Sequence, residues 1–248
     1  MLIPKSHPRA ASLYIREKLV SGYKSGLVVE EGLLAHGRGE AFDYLIGEKT
    51  SKYALQAIKA ASTALILAKS PIISVNGNFA ALCSMEIVQL AKLVDARIEI
   101  NLFYANEKRK KNIAKVLKKY GAKDVLGLDP RHYRTIPKLD SARRIVEERG
   151  IFSADVVLVS LEDGDRTIAL NKFGKKVITF DLNPLSRTAQ TADITIVDNV
   201  IRGMKILVEN SKNFAKKKNF EKIDFDNKKN LTESINLVKK NLWRMAHA

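Results

Sequence analysis

A chain of 248 residues, 46% hydrophobic, with 43 Lys and Arg against 27 Asp and Glu, can bury a sizeable core and carries a net charge of +16. Its single cysteine excludes an internal disulfide and a cysteine-rich zinc module, and four histidines leave little for a transition-metal site. No apolar run reaches the length of a membrane span or forms a signal core, so the chain reads as cytoplasmic with no membrane partner.

The charge asks for an anionic partner: nucleic acid, an acidic surface or phosphorylated small molecules. Its distribution argues against nucleic acid. Residues 211–248 hold ten Lys/Arg and four Asp/Glu, so +6 of the +16 sits in the tail. Much of the rest is lysine on helical stretches such as Lys108–Lys111, which read as solvated faces. There is no RNP-type aromatic motif and no zinc finger.

In chain order, Pro8–Ser21 reads as a helix with Ser6 as its cap, and Arg16 within it reads as a surface ion pair. HGRGEAFDYL (36–45) reads as a glycine-rich loop just ahead of an amphipathic helix, where Arg38 between two glycines could meet a phosphate. Thr50–Lys69 reads as a helix and Pro71–Val75 as a strand. The turn Asn76-Gly77-Asn78 leads into a helix over Ala80–Val94. That turn fits a tight bend and a pair of ligand-facing amides equally well. Arg97–Leu102 reads as a strand, Glu107–Tyr120 as a helix and Val125–Leu128 as a short strand. A long connection, Asp129–Gly150, then carries Arg131, His132, Arg134, Lys138, Arg143 and Arg144. It suits a phosphate or carboxylate site, or a solvated basic surface.

Three further apolar runs, Val156–Val159, Val177–Phe180 and Ile194–Val197, have the two-faced hydrophobicity of buried parallel strands. The fold class that follows is α/β: a Rossmann-like, doubly wound, mainly parallel sheet with helices on both faces plus N-terminal helices. Residues 1–50 form an N-terminal helical segment and 51–216 the α/β core. Residues 217–248 read as a charged linker with a short amphipathic helix over Leu231–Trp243, dispensable for catalysis.

In such a sheet, ligands bind beyond the carboxyl ends of the strands. Here those ends carry Glu162-Asp163-Gly164-Asp165-Arg166-Thr167, then Asp181-Leu182-Asn183-Pro184-Leu185-Ser186-Arg187-Thr188, then Asp198-Asn199. The Walker phosphate loop, GxGxxG after a strand, GxSxG and HExxH are all missing. What remains is carboxylate chemistry with magnesium. Asp163 and Asp165 are the metal candidates, although acids there could equally cap a helix. Asp181 suits a ribose hydroxyl, with Arg187 in reach of a phosphate. From the residues alone the ligand is nucleotide-like and polyanionic.

At these residues the sequence resembles one family, the archaeal phosphopantothenate synthetases, or 4-phosphopantoate–β-alanine ligases, of coenzyme A biosynthesis. The matching stretches are IPKSHPRAASLYIREKLVSG, GLLAHGRGEAFDYLIGEKT, PIISVNGNFAAL, IEINLFY, SADVVLVSLEDGDRT and ITFDLNPLSRTAQTADITIVDNVIR, which span Ile3 to Arg202. The tail beyond Lys216 lies outside the resemblance.

The resemblance implies ATP-dependent condensation of 4-phosphopantoate with β-alanine through an acyl-adenylate, with AMP and diphosphate released. It further implies magnesium, a homodimer, and ATP contacts at Arg16, Arg38, Asp181, Leu182, Asn183, Arg187, Thr188 and Asn199. For Arg16 this replaces the reading as a surface ion pair. Asn76, Asn78, Arg143 and Arg144 are expected at the phosphopantoate. Asp163, Asp165 and His132 are the candidates for a catalytic group. The competing readings are a basic nucleic-acid-binding protein, which a steep salt dependence of RNA binding would reveal, and another nucleotide-dependent enzyme such as a pantoate kinase, which would release ADP.

Overall fold

The computed structural model describes residues 3, 4, 6–216 and 223–247. Three helices come first. Helix α1 (Ala10–Lys24) starts after Arg9 with no side-chain cap, so Ser6 does not serve as one. Helix α2 spans Glu30–Ile46. Helix α3 (Lys52–Ile66) is capped by Ser51, whose hydroxyl oxygen accepts the Ala54 N–H at 3.0 Å.

Helix α2 corrects the reading of 36–45 as a loop, since HGRGEAFDYL lies inside it. Each interior glycine costs a helix roughly 1 kcal/mol against alanine. Tertiary bonds at both ends offset this. The Asn78 amide donates to the Gly32 carbonyl at 2.7 Å, and Asp43 accepts from Arg202 at 2.6 and 3.0 Å and from Asn199 at 2.9 Å. Asn78 follows the first strand of the sheet and Asn199 the last, so α2 lies across the strand ends.

The core then alternates strand and helix: β1 (Pro71–Val75), α4 (Gly77–Leu93), β2 (Arg97–Ile100) and α5 (Glu107–Lys119). After these come the antiparallel pair β3 (Tyr133–Thr135) and β4 (Ile145–Glu147). The remaining elements are β5 (Val156–Ser160), α6 (Gly164–Lys172), β6 (Lys176–Phe180), α7 (Arg187–Thr191), β7 (Ile194–Ile196), α8 (Val200–Lys216) and α9 (Asn227–Ala246). The main sheet runs β2-β1-β5-β6-β7, parallel throughout. Ile73, Val75, Leu158, Ile178 and Phe180 join one core, under α3, α4 and α8. Their neighbours Ile72, Val157, Val159 and Val177 join a second core on the opposite face. This is the α/β architecture expected, with apolar side chains alternating to both faces of buried strands.

Two details differ from expectation. Val125–Leu128 is not a strand. It makes one isolated bridge, Glu99 to Leu126, before Gly127 turns the chain at φ +88°. The connection 129–150 is not an open loop either, because β3 and β4 fold it into a hairpin.

Buried Glu99 on β2 anchors this hairpin by accepting the N–H groups of Glu147 at 3.0 Å and Ile151 at 2.6 Å. Burial pushes its carboxyl up from 4.5 to about 7, although those two N–H groups and the charge of Arg166 pull it down. A group with a raised folded pKa favours the fold fully below its unfolded value, and that contribution is lost as pH rises through the folded one. Glu99 therefore weakens the fold between pH 4.5 and about 7. Glu99→Gln is expected to flatten stability across this window in denaturant titrations at several pH values. An unchanged slope in the variant would place the titration on another group.

The tail helix α9 begins at Asn227, four residues before the apolar pattern at Leu231. It closes the β7 edge of the sheet. Asn227 accepts the Thr195 N–H at 2.9 Å, Asn230 donates to the Thr195 carbonyl at 2.8 Å, and Leu231 is buried against Ala189 and Val197. Truncation after Lys216 is therefore expected to lower the thermal unfolding midpoint and promote aggregation by baring a strand edge. A midpoint and light-scattering trace equal to wild type would show that the tail is an appendage, as the sequence suggests.

Candidate functional site

Strand order reverses between β1 and β5, since the chain leaves β1 toward β2 and later crosses back to β5. A crevice at such a switch point is where open α/β sheets bind ligands. A cavity of about 240 Å³ opens there. Its walls are Glu31, Gly32, Ala35 and Arg38 from α2, Asn76–Asn78 after β1, Leu102–Tyr104 after β2, Arg109 of α5, Arg143 of the hairpin, and Leu161 and Asp163 after β5. Leu161 sits at φ +51°, in the left-handed region, and turns the chain sharply at the end of β5.

The floor of this cavity is a buried ion cluster. Glu162, with a side chain 2% exposed, pairs with both Arg143 and Arg166, whose side chains are 7% and 1% exposed. Arg166 also donates to the Ser74 hydroxyl at 3.1 Å. Arg143 adds a longer contact to Asp163 at 3.6 Å. Burial pushes the Arg143 guanidinium down to about 9 and that of Arg166 to about 10. The Nε atoms of both arginines and Oδ2 of Asp163 have no hydrogen-bond partner among the described residues. Glu162 and Asp163 together balance Arg143 and Arg166, and among the residues lining the cavity Arg38, Arg109 and Arg143 outnumber Glu31 and Asp163 by one cation, which favours an anion.

Arg109 adds a third guanidinium. It is buried and held by the carbonyls of Leu27 and Tyr104 at 2.8 Å each, and burial lowers its pKa. The run EKRKKN around it reads as solvated, yet Arg109 shares the buried stripe of α5 with Ile113 and Leu117. Arg166 likewise shares a stripe with Leu170 on α6. Sequence reasoning missed both residues. The signal that finds them is a charged residue falling on the apolar period of a helix.

Of the residues expected at the phosphopantoate, Asn76, Asn78 and Arg143 meet here. Both amides have backbone work. Asn76 caps α4 by accepting the Phe79 N–H at 2.9 Å and spans the switch point to the Ser160 carbonyl at 2.6 Å, while Asn78 holds α2. Arg144 is exposed and outside the cavity. His132 also lies outside, half exposed beside Asp129 at 3.8 Å.

Of the residues expected at ATP, Arg38, Asp181, Leu182, Asn183, Arg187 and Thr188 lie at or beside the cavity. Asp181 accepts the Asn183 N–H at 2.9 Å and the Ser186 hydroxyl, which shapes the turn after β6. Burial raises its pKa while the charge of Arg38 opposes the rise, so Arg38 borders both the cavity and this turn. A Cβ on Gly39 would lie 3.6 Å from Leu182, so α2 packs directly over the turn. Arg187 is 83% exposed at the start of α7. Thr188 is buried and donates to the Glu162 carbonyl at 2.8 Å.

Arg16 and Asn199 are engaged elsewhere. Arg16 forks Glu40 at 2.7 and 2.9 Å, as a surface ion pair would. The amide of Asn199 is committed at both ends, donating to Asp43 and accepting the Ile201 N–H at 3.0 Å.

Asp163 and Asp165 do not converge. Asp163 faces Arg143, whereas exposed Asp165 lies 3.7 Å from Arg187. Among the described residues no group of three His, Cys, Asp or Glu could cage a metal by itself. The Oδ2 of Asp163 has no hydrogen-bond partner among the described residues and lies 3.6 Å from the Arg143 Nε.

Comparison with known proteins decides the lineage. The profile of the phosphopantothenate/pantothenate synthetase family matches residues 53–241. The chain belongs to that family. A relative from Thermococcus kodakarensis, named 4-phosphopantoate–β-alanine ligase, is 49% identical over 98% of this chain and 95% of its own. Relatives of the same name from Methanosarcina mazei (47% identical; 98% of this chain, 97% of the relative) and Methanospirillum hungatei (52%; 82% of each) are also similar. The family match takes in the strands and the α9 tail together, so the tail is inside the likeness rather than beyond it. Among the described residues no helix is long and apolar enough to cross a membrane.

Proposed function

We propose that the protein is an ATP-dependent 4-phosphopantoate–β-alanine ligase that forms 4′-phosphopantothenate with release of AMP and diphosphate. The observation that carries this is near-full-length likeness to ligases of that name, on a chain whose switch-point cavity is lined by three arginines against two carboxylates. The cavity receives the phosphoryl and carboxylate groups of phosphopantoate over Arg143 and Arg109. ATP lies beside it on the Asp181–Asn183 turn, with Arg187 at its phosphates. Arg38, bordering both, offsets repulsion between the substrate carboxylate and the triphosphate.

The carboxylate oxygen attacks the α-phosphorus and the bond to diphosphate breaks. The β-alanine amine then attacks the acyl carbon, AMP leaves, and the amine proton passes to solvent or a phosphate. Asp163 would be the residue to hold a magnesium ion brought with the nucleotide, which would supply further charge neutralisation. For the amine step, orientation matters more than a strong base. The functional unit is proposed to be a homodimer, which sedimentation would test.

With ATP, magnesium, 4-phosphopantoate and β-alanine, the purified protein is expected to produce AMP and 4′-phosphopantothenate in equal amounts. ADP as the product would favour a kinase, and AMP at the same steady rate without β-alanine would sink the ligase.

A further inference from the structure

Resting on the ligase reading, we propose that Asn101 is a positioning residue for Arg143. Arg143 belongs to a short 3-10 turn, Ala142–Arg144, that leads into β4. Ala142 and Ile145 roof a cavity of about 390 Å³, walled below by Ile100, Leu102 and Tyr133. Asn101 lines the same cavity, so beside it hydrogen bonds as well as packing set the height of this turn above the sheet.

Asn101 supplies them. Its N–H donates to the Val75 carbonyl at 3.0 Å, which ties its backbone to β1. Its buried side-chain amide donates to the carbonyls of Arg143 at 3.3 Å and Ile145 at 3.0 Å. The opposite end of the amide, Oδ1, is buried without a partner. Two carbonyls can only accept, so turning the amide over would set oxygen against oxygen, and the orphaned Oδ1 follows from holding Arg143.

Glu99, two residues earlier and so on the same face of the strand, does the complementary task by accepting the N–H groups of Glu147 and Ile151. One side chain takes donors from the hairpin and the other takes acceptors. Of these two side chains, only Asn101 touches the backbone of a residue that lines the site. It sets where the Arg143 guanidinium meets Glu162 and the ligand.

The test is a double-mutant cycle read by calorimetric titration of 4-phosphopantoate, and separately of ATP, into wild type, Asn101→Ala, Arg143→Ala and the double variant. Asn101→Ala is expected to weaken 4-phosphopantoate about tenfold, a coupling ordinary for residues in contact. ATP binding should not change, and the substitution should add less than twofold once Arg143 is already alanine. Multiplying effects in the double variant, or an equal loss for ATP, would overturn the positioning role while leaving the ligase reading in place. No binding of 4-phosphopantoate by wild type would overturn the reading itself, and the role of Asn101 with it. If Asn101→Ala does not fold, Asn101→Ser carries the same cycle with the same criteria.

Discussion

Glu162→Ala is expected to cost about 3–5 kcal/mol of stability, a large part of what a single domain has to lose. The carboxylate is the shared counter-ion of two guanidinium groups that are themselves almost fully buried. Its removal leaves two neighbouring, almost fully buried cations with only the longer contact from Arg143 to Asp163. Arg143→Ala is the instructive contrast. It leaves Glu162 paired with Arg166 and frees only the half-exposed Asp163, so its stability cost should be much smaller while a cation that lines the cavity is lost. Urea unfolding of the two variants side by side checks both statements. Equal and small losses would mean that the cluster finds compensation elsewhere.

Arg187→Ala is expected to lower ATP-dependent turnover by roughly a hundredfold or more, the scale of losing a group aimed at developing charge, with the unfolding midpoint unchanged. The side chain is 83% exposed, and its only ion-pair partner among the described residues is Asp165 at 3.7 Å, which is also exposed. Such a pair contributes little to the fold. Its placement is nevertheless tightly built. A Cβ on Gly164 would come within 2.5 Å of the Arg187 Cβ, so glycine is required for the start of α6 to approach the start of α7. An arginine that does nothing for stability, held where two helix starts meet beside the Asp181 turn, is available to a phosphate. Turnover near wild type in this variant would remove Arg187 from the nucleotide site. A fallen midpoint would mean that its role is structural.

The parallel sheet was legible because β-branched runs such as Val156–Val159 are short, apolar on both faces and followed at once by polar turns. Boundaries failed where local chemistry and tertiary contacts disagree. Gly37 and Gly39 signal a loop locally, but Asn78 and Arg202 hold α2 helical through them. Val125–Leu128 has strand composition, yet Gly127 ends its pairing after one bridge. In the site, Arg38, Asn76, Asn78, Arg143 and Asp163 were legible as polar residues at strand ends and loops. Arg109 and Arg166 were not, because a run of charge looks solvated until the helix phase is counted.

By itself, the sequence determined the α/β class and put carboxylates and arginines at the strand ends, where the site is proposed. These depend on composition and short-range periodicity, which the chain carries locally. Tertiary structure alone decided which cations are buried. Glu162 became the centre of an ion cluster, Arg143 was separated from its neighbour Arg144, and Asn76 and Asn78 were given to the backbone. Those outcomes depend on contacts between residues far apart in the chain, such as Asn101 with Arg143 and Arg109 with Leu27, whose cost or benefit appears only once folding has removed the water between them.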